Sequence, residues 1–130
     1  MLHFFGGSRH AADLVSRGFE AGKTILIDGE GNAWVYVDRD FPADRAAEIL
    51  AGGAFRYNGG TCTSINGAIV HPDRFAEVAA LVADRAKSTE IGPAFDEAQA
   101  EWCLSRVLES GGTILAGGAR SGPILAPTVV

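Results

Sequence analysis

The chain has 130 residues, 47% of them hydrophobic and 21% charged, and carries a net charge of −5. That is the length of one domain and the composition of a globular chain rather than a disordered one. Its 11 Lys and Arg are scattered singly, so nucleic acid is not an expected partner, and no basic amphipathic segment or apolar run of ~20 residues points to a membrane.

The chain starts Met1-Leu2-His3-Phe4-Phe5-Gly6-Gly7. This start has no charged region followed by a long apolar stretch, so no signal peptide is expected and the cytoplasm is the expected compartment. Residues 3–5 read as a short strand broken at Gly6-Gly7-Ser8, and Ser8 is placed to cap a helix expected to run to about Arg17 and to stop at Gly18. Thr24–Ile27 is a second strand, Asp28-Gly29-Glu30-Gly31-Asn32 a tight turn, and Trp34–Val37 a third strand. Residues 43–54 form a helix with Ala46, Ile49, Leu50 and Gly53 on one side. The glycine loop Asn58-Gly59-Gly60-Thr61 leads to Cys62, and Ala68–Val70 is the next strand. A helix follows from Pro72, suited to a first turn, to about Lys87, with Phe75, Val78, Ala79 and Val82 on one face. A further helix spans about 95–109, and short apolar segments at 113–115 and 124–130 close the chain. Strands alternating with helices predict an α/β fold with a largely parallel sheet, in a chain long enough to bury a substantial core.

The two cysteines differ in setting. Ala100, Cys103, Leu104, Val107 and Leu108 lie at helical spacing on one apolar stripe, which makes Cys103 a small hydrophobe. Cys62 follows glycines that let backbone approach a ligand, and exposed N–H groups in such a loop favour a thiolate and hold an oxyanion. The same composition also suits an ordinary loop thiol. His3, His10 and His71 are far apart, so neither a Cys/His dyad nor a metal site is indicated. Gly6-Gly7-Ser8 ahead of a helix presents N–H groups that suit a phosphate, although it lacks the full G-x-G-x-x-G spacing. Asp28 and Glu30 offer a carboxylate for general-base work or are simply solvated turn residues.

In order, these pieces resemble the aldehyde dehydrogenase superfamily. Phe5-Gly6-Gly7-Ser8 is similar to its F-T-G-S turn, and Ile27 to Asn32 to its L-E-L-G-G-N segment. Phe55-Arg56-Tyr57-Asn58-Gly59-Gly60-Thr61-Cys62 is similar to its F-x-x-x-G-Q-x-C nucleophile motif. Thr63 to Asn66, Val70-His71-Pro72, Ile91-Gly92-Pro93 and Pro127-Thr128-Val129 continue in register.

The resemblance implies the middle of such an enzyme: about 1–27 from the end of the cofactor domain and 28–130 from the catalytic domain. It implies oxidation of an aldehyde to a carboxylic acid. Cys62 would form a thiohemiacetal, pass hydride to NAD or NADP, and become a thioester. Asp28 stands at the position of the family's glutamate base, one methylene shorter, and Gly7, Ser8 and Gly29 lie at the cofactor. Glu30 replaces a glycine where the nicotinamide would lie, and Gly60 replaces the usual Gln. The rest of the cofactor domain and the oligomerisation strands lie outside these residues, so a homo-oligomer or a complementing polypeptide is the expected partner, beside a small-molecule aldehyde. Two other functions remain open: a cofactor-independent thiol esterase and a non-catalytic interaction module.

Overall fold

Short apolar strands joined by helices fold into two successive β-α-β units and a C-terminal hairpin, in a computed structural model that describes residues 1–130. In the first unit β1 (Leu2–Phe5) and β2 (Ile25–Asp28) pair in parallel, in register from Leu2↔Ile25 to Phe5↔Asp28, and α1 (Ser8–Glu20) makes the crossover. The expected stop at Gly18 is wrong. Gly18 is buried inside the helix, where a Cβ would overlap the Ile25 side chain. The true stop is Gly22, at φ +62°. There the Lys23 N–H donates to Gly18 O at 2.8 Å and the Gly22 N–H to Phe19 O at 3.0 Å, a Schellman closure. Gly18 is a packing glycine, and its sequence signature does not distinguish it from a terminator.

The second unit pairs β3 (Ala33–Val37) in parallel with β4 (Ile65–Val70) across α2 (Ala43–Phe55), and α3 (Pro72–Lys87) then packs on α2. Pro72 opens α3 as expected, and His71 Nδ1 accepts from the Asp73 N–H at 3.2 Å. Val37, Ala43, Ala46, Leu50 and Val78 form the larger core cluster. On α2 the buried stripe is Ala43, Ala46, Ala47, Leu50 and Ala51, whereas Ile49, expected inside, is exposed. Small residues suit the contact with α3, and the buried stripe keeps Ala46 and Leu50 of the expected side but leaves Ile49 out. On α3, Val78 is buried, but Phe75 lies at the rim of an open groove with Val82, Leu50, Phe55 and Val129.

α4 (Glu97–Glu109) is capped by Asp96, whose Oδ1 accepts from the Gln99 N–H at 2.7 Å. Along its expected stripe Ala100 is buried, Cys103, Leu104 and Val107 are half-buried, and Leu108 is exposed. The segment at 113–115 makes no strand ladder. Its neighbour Ala116 bridges Val129, and the ordered pair is the antiparallel β5 (Arg120–Ser121) and β6 (Ile124–Leu125).

The fold is thus α/β, with parallel strand pairs flanked by helices. The expectation of a substantial core fails: 14 of 130 residues are buried, because each parallel pair has only two strands. In the second unit Val35 and Val37 face the helices, while Trp34, Tyr36 and Ile69 on the other face are exposed. No helix is long and apolar enough to cross a membrane.

Candidate functional site

Parallel pairing brings the C-terminal ends of β1 and β2 together, so the turns that follow them meet. The first turn carries Gly6, Gly7 and Ser8, and the second runs from Asp28 to Asn32. The second also touches the Cys62 loop: a Cβ at Gly31 would overlap the Cys62 carbonyl group. Only glycine permits that approach, and three glycine-rich segments distant in sequence converge through it.

The loop that presents Cys62 is held in an unusual backbone. After α2, Tyr57, Asn58 and Gly59 adopt φ of 53°, 58° and 67°, three left-handed residues in succession. For a side chain larger than glycine this conformation costs about 1–2 kcal/mol per residue. Two contacts hold it. The Asn58 amide accepts from the Gly92 N–H at 2.9 Å and donates through Nδ2 to Pro93 O at 3.0 Å. The Arg56 guanidinium lies 4.8 Å from the Tyr57 ring centroid and donates to its hydroxyl at 3.1 Å. The chain then tightens into a Thr61–Ser64 turn, closed by the Ser64 N–H on Thr61 O at 3.0 Å and by the buried Ser64 hydroxyl, which accepts from the Thr61 N–H at 3.2 Å. Cys62 sits at the second position of this turn with its thiol exposed, and Cys103 is half-buried on α4.

The two acidic residues of the 28–32 turn have separate partners. Asp28 Oδ2 lies 2.7 Å from His3 Nε2 across the β1–β2 pair, and the His3 ring stacks at 4.2 Å on Phe5. Glu30 reaches the start of α1, where it accepts the Ser8 N–H at 2.9 Å on one oxygen and the Ser8 hydroxyl at 2.6 Å on the other. The Ser8 hydroxyl, followed by the backbone N–H groups of Glu30 and Ser8, holds the Glu30 carboxyl below the usual carboxylate range, and the Arg9 charge acts in the same direction. Missing Cβ atoms make room for this contact: one at Gly7 would lie 3.2 Å from Glu30 Oε1, and one at Gly29 would lie 2.7 Å from Ser8 Oγ.

Gly7, Ser8 and Gly29 are therefore neighbours, and Gly31 rather than Gly29 joins them to Cys62. His3 and Asn58 escaped the sequence reading. Asn58 was legible only as a glycine-loop residue, because its partners lie 34 and 35 positions away. No group of three or more His, Cys, Asp and Glu is arranged to hold a metal ion.

Strand ends meet at glycine turns in an α/β protein, and an exposed cysteine, Cys62, lies in the turn packed against them. The sequence profile of the aldehyde dehydrogenase family matches residues 1–130, and the chain belongs to that family. It is 32% identical to the alpha-ketoglutarate semialdehyde dehydrogenase of Haloferax volcanii over 99% of its length, and it spans 30% of that relative. Among solved structures, succinate-semialdehyde dehydrogenase from Burkholderia pseudomallei shares the fold with a TM-score of 0.87 and 24% identity, over 97% of this chain and 30% of that one. Aldehyde dehydrogenase 21 from Physcomitrella patens, solved with the reaction product succinate, aligns with a TM-score of 0.84 and 26% identity over 98% of this chain and 29% of that one.

Proposed function

We propose that this chain supplies the nucleophile of an aldehyde-oxidising protein, and that the nucleophile is Cys62. One observation carries the reading: the exposed Cys62 thiol sits in a tight turn whose backbone is braced against Gly31. The thiolate sulfur adds to the carbonyl carbon of an aldehyde and forms a thiohemiacetal, with the Cys62 backbone N–H as one donor to the oxyanion.

Oxidation of that adduct in this family uses NAD or NADP as hydride acceptor. The residues available for the cofactor, Gly7, Ser8 and Gly29, do not fit its diphosphate as they stand. Both Ser8 donors already carry the Glu30 carboxylate, and a second anion would meet it directly. No hydride step is assigned to these residues.

The same observation favours a second reading for the chain by itself, a cofactor-independent acyl transfer. Cys62 attacks an ester carbonyl, the C–O bond breaks, and the alcohol leaves with a proton. Water then cleaves the thioester, with Asp28 as its base, and returns the acid and the free thiol. Under either reading the exposed Trp34, Tyr36 and Ile69 face is covered by further chain, a second copy or a complementing polypeptide. Assays with an aldehyde plus NAD or NADP, and with an activated ester, test both readings. Reduced cofactor supports the first, and ester turnover abolished by Cys62→Ala supports the second. Ester turnover equal in Cys62→Ala refutes the second reading, and iodoacetamide labelling of Cys62 that an added aldehyde does not slow refutes the first.

A further inference from the structure

The start of α1 combines three features of an anion site: the Ser8 backbone N–H, which has no partner within the helix, the Ser8 hydroxyl beside it, and the positive end of a 13-residue helix. The helix has no acidic residue in its own first turn, and its N-cap residue, Gly7, contributes no side-chain hydrogen bond. An anion is nevertheless bound there, and it comes from 22 residues away. Its two oxygens take two different donors, the arrangement a phosphate group would use, and Gly7 and Gly29 leave the space that lets it close. Glu30 itself is exposed, so no surrounding core forces its side chain into place.

We infer that Glu30 is an internal substitute for a ligand's phosphate, which keeps the diphosphate donors of this chain closed to a dinucleotide. The contact therefore acts as an autoinhibitory latch on the α1 anion site. Only the identity of the excluded ligand rests on the family reading above. The latch itself does not depend on Cys62.

The test uses the full chain with inorganic pyrophosphate and, separately, NAD as probes, titrated by calorimetry while the Ser8 amide is followed by NMR. Glu30→Gly should bind pyrophosphate at least tenfold more tightly than the wild type and move the Ser8 amide on binding. Glu30→Gln keeps an acceptor but loses the charge, and should gain less. If Glu30→Gly does not fold, Glu30→Gln alone must still show a gain. Equal affinity in wild type and variant overturns the inference, as does tighter binding that leaves the Ser8 amide unmoved. Loss of helix stability without any gain in affinity also overturns it and reduces Glu30 to a helix cap. Repeating the titration in Cys62→Ser separates this result from the thiol chemistry, since a failure of one leaves the other standing.

Discussion

The two β-α-β units share one topology but differ in how they are covered. In the second, α2 and α3 pack on the strands and on each other, and Val37, Leu50 and Val78 are buried between them. In the first, a single helix crosses two strands, and the buried residues of that helix are Ala11 and Gly18. Leu2, Leu26 and Ile27 all keep more than a third of their surface exposed. Crossover topology alone thus does not make a core. A second layer of helix turns the same strand pair into a stable centre.

Truncation of one leucine in each unit probes that contrast most strongly. Leu50→Ala should destabilise the chain by about 2–5 kcal/mol, as for a buried leucine. Leu26→Ala should change stability by less than about 0.5 kcal/mol. Denaturant unfolding of the two variants measures both, and similar losses would show that the first unit has a core of its own.

A smaller effect is expected where the units touch. Gly31→Ala places a methyl against the Cys62 carbonyl and should cost about 1–3 kcal/mol by overpacking. It should also slow iodoacetamide labelling of Cys62 relative to Cys103. Unchanged stability with unchanged labelling would mean that the turn and the loop move apart freely.

The mildest effect belongs to the first unit and depends on pH. Glu30 titrates lower in the folded chain than in the unfolded one. Its contribution is therefore complete above the ordinary carboxylate value of about 4.3 and is lost as pH falls through the depressed folded value. The stability difference between wild type and Glu30→Gln should shrink with acidification in that window. A difference that stays constant below it would show that the carboxylate contributes nothing through its charge.

Local patterns foretold the elements whose signals are local. α3 begins at Pro72 and ends at Lys87 as expected, because proline at the first turn is a signal that neighbouring residues do not overturn. Alternation of strand and helix likewise foretold the parallel pairing. The buried face of α2 was legible in part: Ala46 and Leu50 lie inside as their spacing predicts, whereas Ile49 lies outside and Ala43, Ala47 and Ala51 lie inside. At the site, the glycine loop marked Cys62 as distinct from Cys103. The Ser8–Glu30 contact was not legible, since it depends on the β1–β2 register bringing two turns together. Asn58 escaped for the same reason, its partners being set by where the 91–93 segment returns.

The open face of β3–β4 has one more consequence. Gly67 lies directly beneath the ring of Trp34, close enough that a Cβ there would come within 2.6 Å of it. The chain has two tryptophans, Trp34 on that face and Trp102 on α4, and both are largely exposed. Each indole is therefore a native optical gauge. Emission from Trp34 reports whether water or another surface lies against the strands, and emission from Trp102 reports the same for the outer side of α4. With Trp102 replaced by Phe, the colour of the remaining fluorescence tells whether the strand face has been covered, without any attached dye.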